Sequence, residues 1–486
     1  MAAGFLLVPV ATLPKLCGGS SLSGPPFTLG LASGDPRPDG VVLWTRLAPE
    51  PLNASGGGGM PQVEVPVRWE IAHDEGFQRI ARRGTASAAP DLAHSVHAEV
   101  EGLEPARWYY YRFKAGEEIS PTGRTKTAPA PGSGDSGLSF AYASCQDWQD
   151  GHYPSYGGMV REDLDFVVHL GDYIYERKDT RTLEDFRNLH ALYKSAPELR
   201  EAHASFPFIA VFDDHEVDND WAGETSEKDE PSDEFLKLRE AALQAYYEHM
   251  PLRPSAMPRG PRMRIHRRHA FGELAEFNVL DTRQHRTDQA DGRLIALRQP
   301  ASRDETRTMT GSRQEKWLFD GLARSEKRWN VIAQQTMMAR YDYQPGEGER
   351  INHDQWDGYT AARDRLLDFV GRSRPSNPLV ISGDWHASFV NDLKADFDNP
   401  DSETLAAEFV GTSISSGCPW AGQVQAALSE NPHVRFFDGD HRGYVRCTVD
   451  KRLWRTDYRI VENPEAPATT LTSWMVEDGH PGAQPA

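Results

Sequence analysis

Two apolar runs of this chain close on the same pair of residues. "VVHLGDYIYERKD" (167–179) and "VISGDWHAS" (380–388) each leave a stretch of strand-forming residues through Gly-Asp, at Gly171-Asp172 and Gly383-Asp384. Glycine permits a sharp exit from a strand and close approach of a neighbour. A carboxylate placed there needs a partner, because burying an unpaired charge is costly. Three further apolar runs end in chemical groups: "LSFAYASC" in Cys145, "FIAVFDDHE" in Asp213-Asp214-His215-Glu216, and "EFNVLDTR" in Asp281 with Arg283. Ligands of open α/β sheets bind at the carboxyl ends of strands, so the five endings predict one shared site.

The apolar runs alternate with helix-period segments, 182–195, 234–250 and 313–328, which predicts an α/β domain with a layered core. Ser312 and Glu315 have the spacing of a capping box at the start of the third helix. Before this domain, "GVVLWTRL", "VEVPVRWEIA", "HSVHAEVEGL" and "RWYYYRFKAG" read as strands of an all-β sandwich over 27–127, with a linker at 128–137. Gly56 to Gly59 reads as a surface turn. The α/β domain is expected to span 138–462. The tail 463–486 reads mainly as loop, with "LTSWMVEDG" able to form a short helix. The leader 1–26 has an apolar stretch followed by small residues and reads as the remnant of an export signal without its basic start, hence a secreted, periplasmic or cell-surface protein. A lipobox at Leu16-Cys17 is disfavoured by Lys15.

With 53 Lys+Arg against 72 Asp+Glu the net charge is −19, which disfavours nucleic acid or an anionic membrane as partner, although a local basic patch can still hold phosphate. Acidic excess is either a solvated surface or a carboxylate cluster holding cations. Asp172 is read as a turn cap or a ligand, and Tyr175, three residues on, tips the balance to ligand, since a phenolate suits a trivalent ion. Tyr173 is read as packing. Asp214 and Asn219 of "FDDHEVDND" offer oxygen ligands, and His215 is either a ligand or an acid for a leaving oxygen. Asp384 and His386 point the same way in an extended exit and reach one metal or two neighbouring ones. Cys145 is read equally as ligand or as inert packing, and Cys418 and Cys447 as inert. Arg283 and Arg286 are surface salt bridges or a guanidinium fork on phosphate.

"ASC", "GDYIYE", "DDHEVDND", "LDTRQHR", "QEKWL" with "WNVIAQQ", and "ISGDWH", preceded by "GLASGDPRPDGVVLWTRL", resemble in order and spacing the alkaline phosphatase D (PhoD-like) family, itself similar to purple acid phosphatases. The resemblance implies a four-layer metallophosphoesterase-type β-sandwich flanked by helices, with an N-terminal all-β sandwich. It also implies one site holding ferric iron (Fe3+) and calcium (Ca2+). Cys145, Tyr175 and His386 would bind iron, Asp172 would bridge, and Asp214, Asn219 and Asp384 would complete the calcium side. Asp214 and Asp384 stand where purple acid phosphatases have an Asn and a His, and carboxylates at both places favour a hard cation.

The expected activity is hydrolysis of phosphate esters by a metal-bound hydroxide, with Arg283 stabilising charge, His215 serving the leaving oxygen, and Asn219 beside them. The expected partner is a monoester or diester substrate, and the expected state a monomer. The rivals are a phosphodiesterase or phospholipase D-like enzyme acting on lipid headgroups or cell-wall polymers, and a secreted binding protein with a structural metal site.

Overall fold

The computed structural model describes residues 24–132, 137–151, 153–290, 295–461 and 467–486. The five apolar runs that end in chemical groups all form strands, as do Trp329–Ala333 and Thr404–Val410, and they fall into two large sheets. The first sheet has ten strands in the order His480–Pro485, Thr469–Glu477, Leu453–Ile460, Gly443–Val449, Leu138–Ala143, Phe166–His169, Pro207–Ala210, Leu31–Arg37, Gly40–Arg46 and Ser95–Glu101. The second has seven: Arg267–Phe271, Ala275–Val279, Trp329–Ala333, Pro378–Ser382, Thr404–Val410, Ser388–Lys394 and Val434–Asp438. Each sheet has a parallel centre, Leu138–Ala143, Phe166–His169 and Pro207–Ala210 in one, and Ala275–Val279 through Thr404–Val410 in the other.

Strand periodicity sorts the side chains into layers. Val331, Leu379, Ile381 and Phe409 enter the core between the sheets, while the alternating Ile332, Val380 and Val410 face outward. That outer layer is closed by Leu318 and Leu322 of the helix Gly311–Arg324 and by Leu366 and Leu367 of Thr360–Ser373. Between the sheets Phe140 stacks on Phe166 at 4.9 Å, and Phe277 of the second sheet meets their rings edge-on at 5.1 and 5.5 Å. The helices Leu183–Lys194, Pro197–Ser205 and Ser232–His249 add Phe186, Leu199 and Leu243 to the core of the first sheet. This is the expected layered sandwich with flanking helices.

The N-terminal strands depart from the expected separation. Leu31–Arg37 pairs in parallel with Pro207–Ala210, so it, Gly40–Arg46 and Ser95–Glu101 continue the first large sheet. Leu31–Arg37 was unreadable as a strand because Gly34, Asp35 and Pro36 interrupt it. The remaining N-terminal strands, Ile80–Ala88, Val65–Ala72, Trp108–Ala115, Glu118–Ile119 and Gly123–Lys126, form a second layer. It closes a core of Leu31, Val41, Leu43, Val67, Ile71, Tyr111 and Phe113. The first residues of the expected linker are tied down: Ala128 N donates to the Arg37 carbonyl at 3.1 Å, and Gly272 N donates to the Pro129 carbonyl at 3.0 Å.

Three local expectations are corrected. The tail is not loop and helix but the strands Thr469–Glu477 and His480–Pro485. Trp474 and Val476 are buried with the period of two that a strand requires, a signal outweighed in the sequence by the surrounding prolines. The capping box lies elsewhere: Ser312 is inside the helix Gly311–Arg324, whose N-cap Thr310 makes no side-chain cap. Thr182 and Asp185 instead form the reciprocal pair at the start of Leu183–Lys194, at 2.9 and 3.2 Å. Gly56 to Gly59 is packed rather than free, with Gly56 buried and its carbonyl accepting from buried Arg46 at 2.5 Å. Residues 1–23 of the expected leader lie outside the described residues. No helix among the described residues is long and apolar enough to cross a membrane.

The tail should therefore be part of the folded unit. Trp474→Ala, which empties a side chain only 7% exposed, is expected to cost about 3 kcal/mol in urea unfolding, whereas a dangling tail would cost nothing.

Candidate active site

The parallel strands of both sheets point their carboxyl ends toward one edge. A parallel bridge between Ser144 and Ser413 joins the two sheets there. The loops that follow carry the residues singled out in the sequence. Four take left-handed backbone angles, Cys145 (φ 60°), Asp172 (53°), Asp384 (64°) and His386 (55°), a conformation costly for residues with a Cβ and concentrated at functional sites.

The two Gly-Asp pairs act as inferred. A Cβ at Gly171, whose φ is 118°, would lie 2.4 Å from the Asp213 Cβ and 2.6 Å from its backbone nitrogen. A Cβ at Gly383 would lie 2.3 Å from Ser144 Oγ. Glycine at these points lets neighbouring strand ends touch, which brings their acids into one cluster.

Two overlapping donor groups result. Cys145, Asp172 and His386 offer ligand atoms within 4.8 Å of one another, and so do Asp172, Asp213, Asp214 and Asp384. Asp172 belongs to both. Tyr175 joins the first group, its hydroxyl 3.0 Å from His386 Nε2 and donating to Asp172 Oδ2 at 3.2 Å. His386 Nδ1 lies 2.8 Å from the Gly417 carbonyl, which only accepts, so the proton sits on Nδ1 and the Nε2 lone pair faces Tyr175. Cys145 is fully buried with Ser144 Oγ 3.0 Å from its sulfur.

These donors fit cations. Asp172 Oδ1 and Asp214 Oδ1 are buried without a hydrogen-bond partner, where such atoms are ordinarily satisfied. The group with sulfur, imidazole and phenol suits a transition metal, and the all-carboxylate group suits a hard ion. Burial first, then repulsion from Asp214, Glu216 and Asp384, raises the Asp172 pKa well above the usual carboxylate range. Burial likewise lifts Asp384 to about 6 against the pull of Arg283. Burial, with Asp172 and Cys145 beside it, raises Tyr175, and burial holds His386 down to about 4.

The remaining predicted residues surround this cluster. His215 Nδ1 bonds to Glu176 Oε2 at 2.8 Å, and its ring lies 4.2 Å from that of Tyr175. Burial acts against charge on His215, but Glu176, Asp172 and Asp214 outweigh it and raise its pKa well above normal. Asn219 donates its backbone N–H to Glu176 Oε1 at 2.9 Å and its amide to Glu227 at 3.2 Å. Arg283 and Arg286 are not surface residues: both side chains are fully buried. Arg283 donates through Nε to Asp213 and through Nη1 to Asp354 at 2.9 Å, and its Nη2, without a hydrogen bond, lies 3.4 Å from Asp214 and 3.5 Å from Asp384. Arg286 is spent on Asp354 and the Trp221 carbonyl. Tyr173 is buried as expected, and its hydroxyl also bonds to His203 at 2.8 Å.

Sequence reasoning named Asp213 and Glu216 only as part of a strand ending, without a role, and missed Asp354 and Gln355 altogether. Asp213 joins the carboxylate group. Glu216 is fully buried and accepts from the backbone N–H groups of Asp172 (3.1 Å), Tyr173 (2.5 Å) and Asp213 (2.8 Å), holding two loops in register. Asp354 anchors both arginines, and Gln355 donates to Asp384 at 2.5 Å. Glu216 could have been suspected from its place beside the cluster, whereas "NHDQW" (352–356) has no apolar lead-in to mark it.

Because the buried acids bind protons readily and cations compete for the same oxygens, Ca2+ affinity is expected to rise with pH through about 6, the level to which Asp384 is lifted. Calorimetric titration of the metal-stripped protein at pH 5 and pH 8 checks this; equal affinities would contradict it.

Comparison with known proteins agrees with this geometry. A family described as PhoD-like phosphatase matches residues 140–458, and the PhoD-like phosphatase N-terminal domain matches residues 13–129. Alkaline phosphatase D of Bacillus subtilis (strain 168) is 48% identical over 480 residues, covering 94% of this chain and 82% of that protein. A solved structure of PhoD superposes with a TM-score of 0.91 at 47% identity, covering 96% of this chain and 93% of the other. By these matches the chain belongs to the PhoD-like phosphatase family, whose activity is phosphate ester hydrolysis.

Proposed function

We propose that this protein is a secreted alkaline phosphatase or phosphodiesterase working through Fe3+ and Ca2+ at the two donor groups that share Asp172. That shared carboxylate is the observation that carries the reading, because a bridging acid between a mixed S/N/O set and an all-carboxylate set suits two unlike cations. Cys145, Tyr175 and His386 are the iron ligands in this reading. Asp214 and Asp384, joined by Asp213 and with Asn219 at the margin, hold calcium. Bound there, the pair supplies Lewis acidity toward phosphate oxygens and activates water.

The chain's own residues do the rest. His215, kept protonated by Glu176 and the neighbouring acids, gives its proton to the departing ester oxygen from Nε2, since Nδ1 is engaged. Arg283 holds Asp213 and Asp354 in place and sets its Nη2, 3.4 Å from Asp214 and 3.5 Å from Asp384, at the edge of the carboxylate group, where its positive charge answers the charge that develops on the phosphoryl oxygens. A Ser or Cys nucleophile is unnecessary.

The closed or open character of the site separates an enzyme from a binding protein. Hydrolysis of p-nitrophenyl phosphate and of its bis ester is expected in the metal-loaded protein and is expected to vanish on chelation. Full turnover by metal-free protein would sink the proposal, and no turnover with both metals assayed as present would favour the binding reading. Replacing Tyr175 with Phe is expected to abolish the visible iron-phenolate charge-transfer band, and an unchanged spectrum would reject Tyr175 as ligand. Asp172→Asn, which weakens both groups at once, is expected to lower kcat/KM by about a thousandfold or more.

A further inference from the structure

The outer face of the N-terminal sheet carries a charge arrangement that the fold does not need. In Trp108–Ala115 the residues Trp108, Tyr110, Arg112 and Lys114 alternate with the buried Tyr109, Tyr111, Phe113 and Ala115, so the first set faces away from the core. The antiparallel register places Arg68 directly opposite Lys114, and Glu70 between Arg112 and Arg83. Directly paired residues project on the same side of a sheet, so these five lie on one outer face.

Like charges facing each other across neighbouring strands destabilise a sheet. Arg112 is neutralised by Glu70, at 2.7 and 2.8 Å. Arg68, Lys114 and Arg83 make no ion pair and no side-chain hydrogen bond among the described residues. The strand beyond Lys114 sets Ile119, 52% exposed, directly beside it, and Ile80, 37% exposed, stands on the strand that carries Arg83. These cations without ion pairs, with Ile119 beside one of them, belong to a chain whose net charge is −19.

We propose that this face docks onto an anionic lipid surface. The cations match the headgroup phosphates, their mutual repulsion is relieved by the anions between them, and Ile119 and Ile80 enter the headgroup layer. A soluble acidic polymer would satisfy the cations but leave the isoleucines without a role. The overall negative charge does not prevent this, because at physiological ionic strength the field of one face is screened over about 8 Å from the rest of the molecule. The inference is independent of the metals and the reaction assigned above, since none of these residues belongs to the site.

The test is co-sedimentation of the full chain with phosphatidylglycerol-rich and with pure phosphatidylcholine vesicles at low and raised salt. Binding is expected for the anionic vesicles alone and is expected to weaken with salt. In R68E/K114E partition should fall by about 25-fold or more, while hydrolysis of a soluble aryl phosphate stays at the parental rate. The single variant K114E, which turns the facing like-charged pair into an opposite one, should bind more weakly than the parent and more tightly than R68E/K114E, with an unchanged or higher Tm, separating a lost contact from a lost fold. No binding to anionic vesicles at low salt, or equal binding by parent and R68E/K114E, overturns the proposal. Binding to soluble long-chain polyphosphate without binding to vesicles overturns it in favour of a polymer.

Discussion

Like charges gathered out of water govern this molecule. Asp172, Asp213, Asp214 and Asp384 offer oxygens within 4.8 Å of one another, and the first three are nearly inaccessible to solvent. Such a group is stable only if positive charge answers it. Arg283 supplies part of that charge from within the protein, held in turn by Asp354. The rest is a demand that protons or cations can meet, and the sandwich gathers it at one edge. The strained backbone at Cys145, Asp172, Asp384 and His386 belongs to the same balance, since those angles aim the donors inward.

The sandwich provides what so crowded a cluster requires, rigid supports on opposing sides. The loops after Leu138–Ala143, Phe166–His169 and Pro207–Ala210 come from one sheet, and those after Ala275–Val279 and Pro378–Ser382 from the other. Glu216 ties the Asp172 and Asp213 backbones together, so a single buried carboxylate sets their spacing. Neither sheet alone could present both donor groups.

Most of this was legible because strand cores and strand exits differ so sharply in composition. An apolar run followed by Gly-Asp declares both the element and the place where it stops, and Asp172, Tyr175, Asp384 and His386 meet as that pattern predicts. Asp213 was not separable from Asp214, because neighbours in a turn project differently only once the backbone angles are known. Asp354 and Gln355 approach from a loop with no apolar lead-in, and their importance comes from long-range partners. Leu31–Arg37 and the two C-terminal strands were hidden by prolines and glycines that sit within or beside them without breaking the pairing. Net charge was likewise an incomplete guide, since Arg68 and Lys114 are segregated on one face that an average conceals.

The ten-stranded sheet crosses the border between the two segments that family comparison treats as separate. Leu31–Arg37 is hydrogen-bonded to Pro207–Ala210, so the units of inheritance are not units of folding. Cutting the chain between them would leave a bare strand edge on each piece, of the kind that invites pairing with another molecule. During synthesis the N-terminal strands must therefore wait for roughly half the protein to emerge before their sheet can close, which makes protection of the nascent chain a requirement written into the topology.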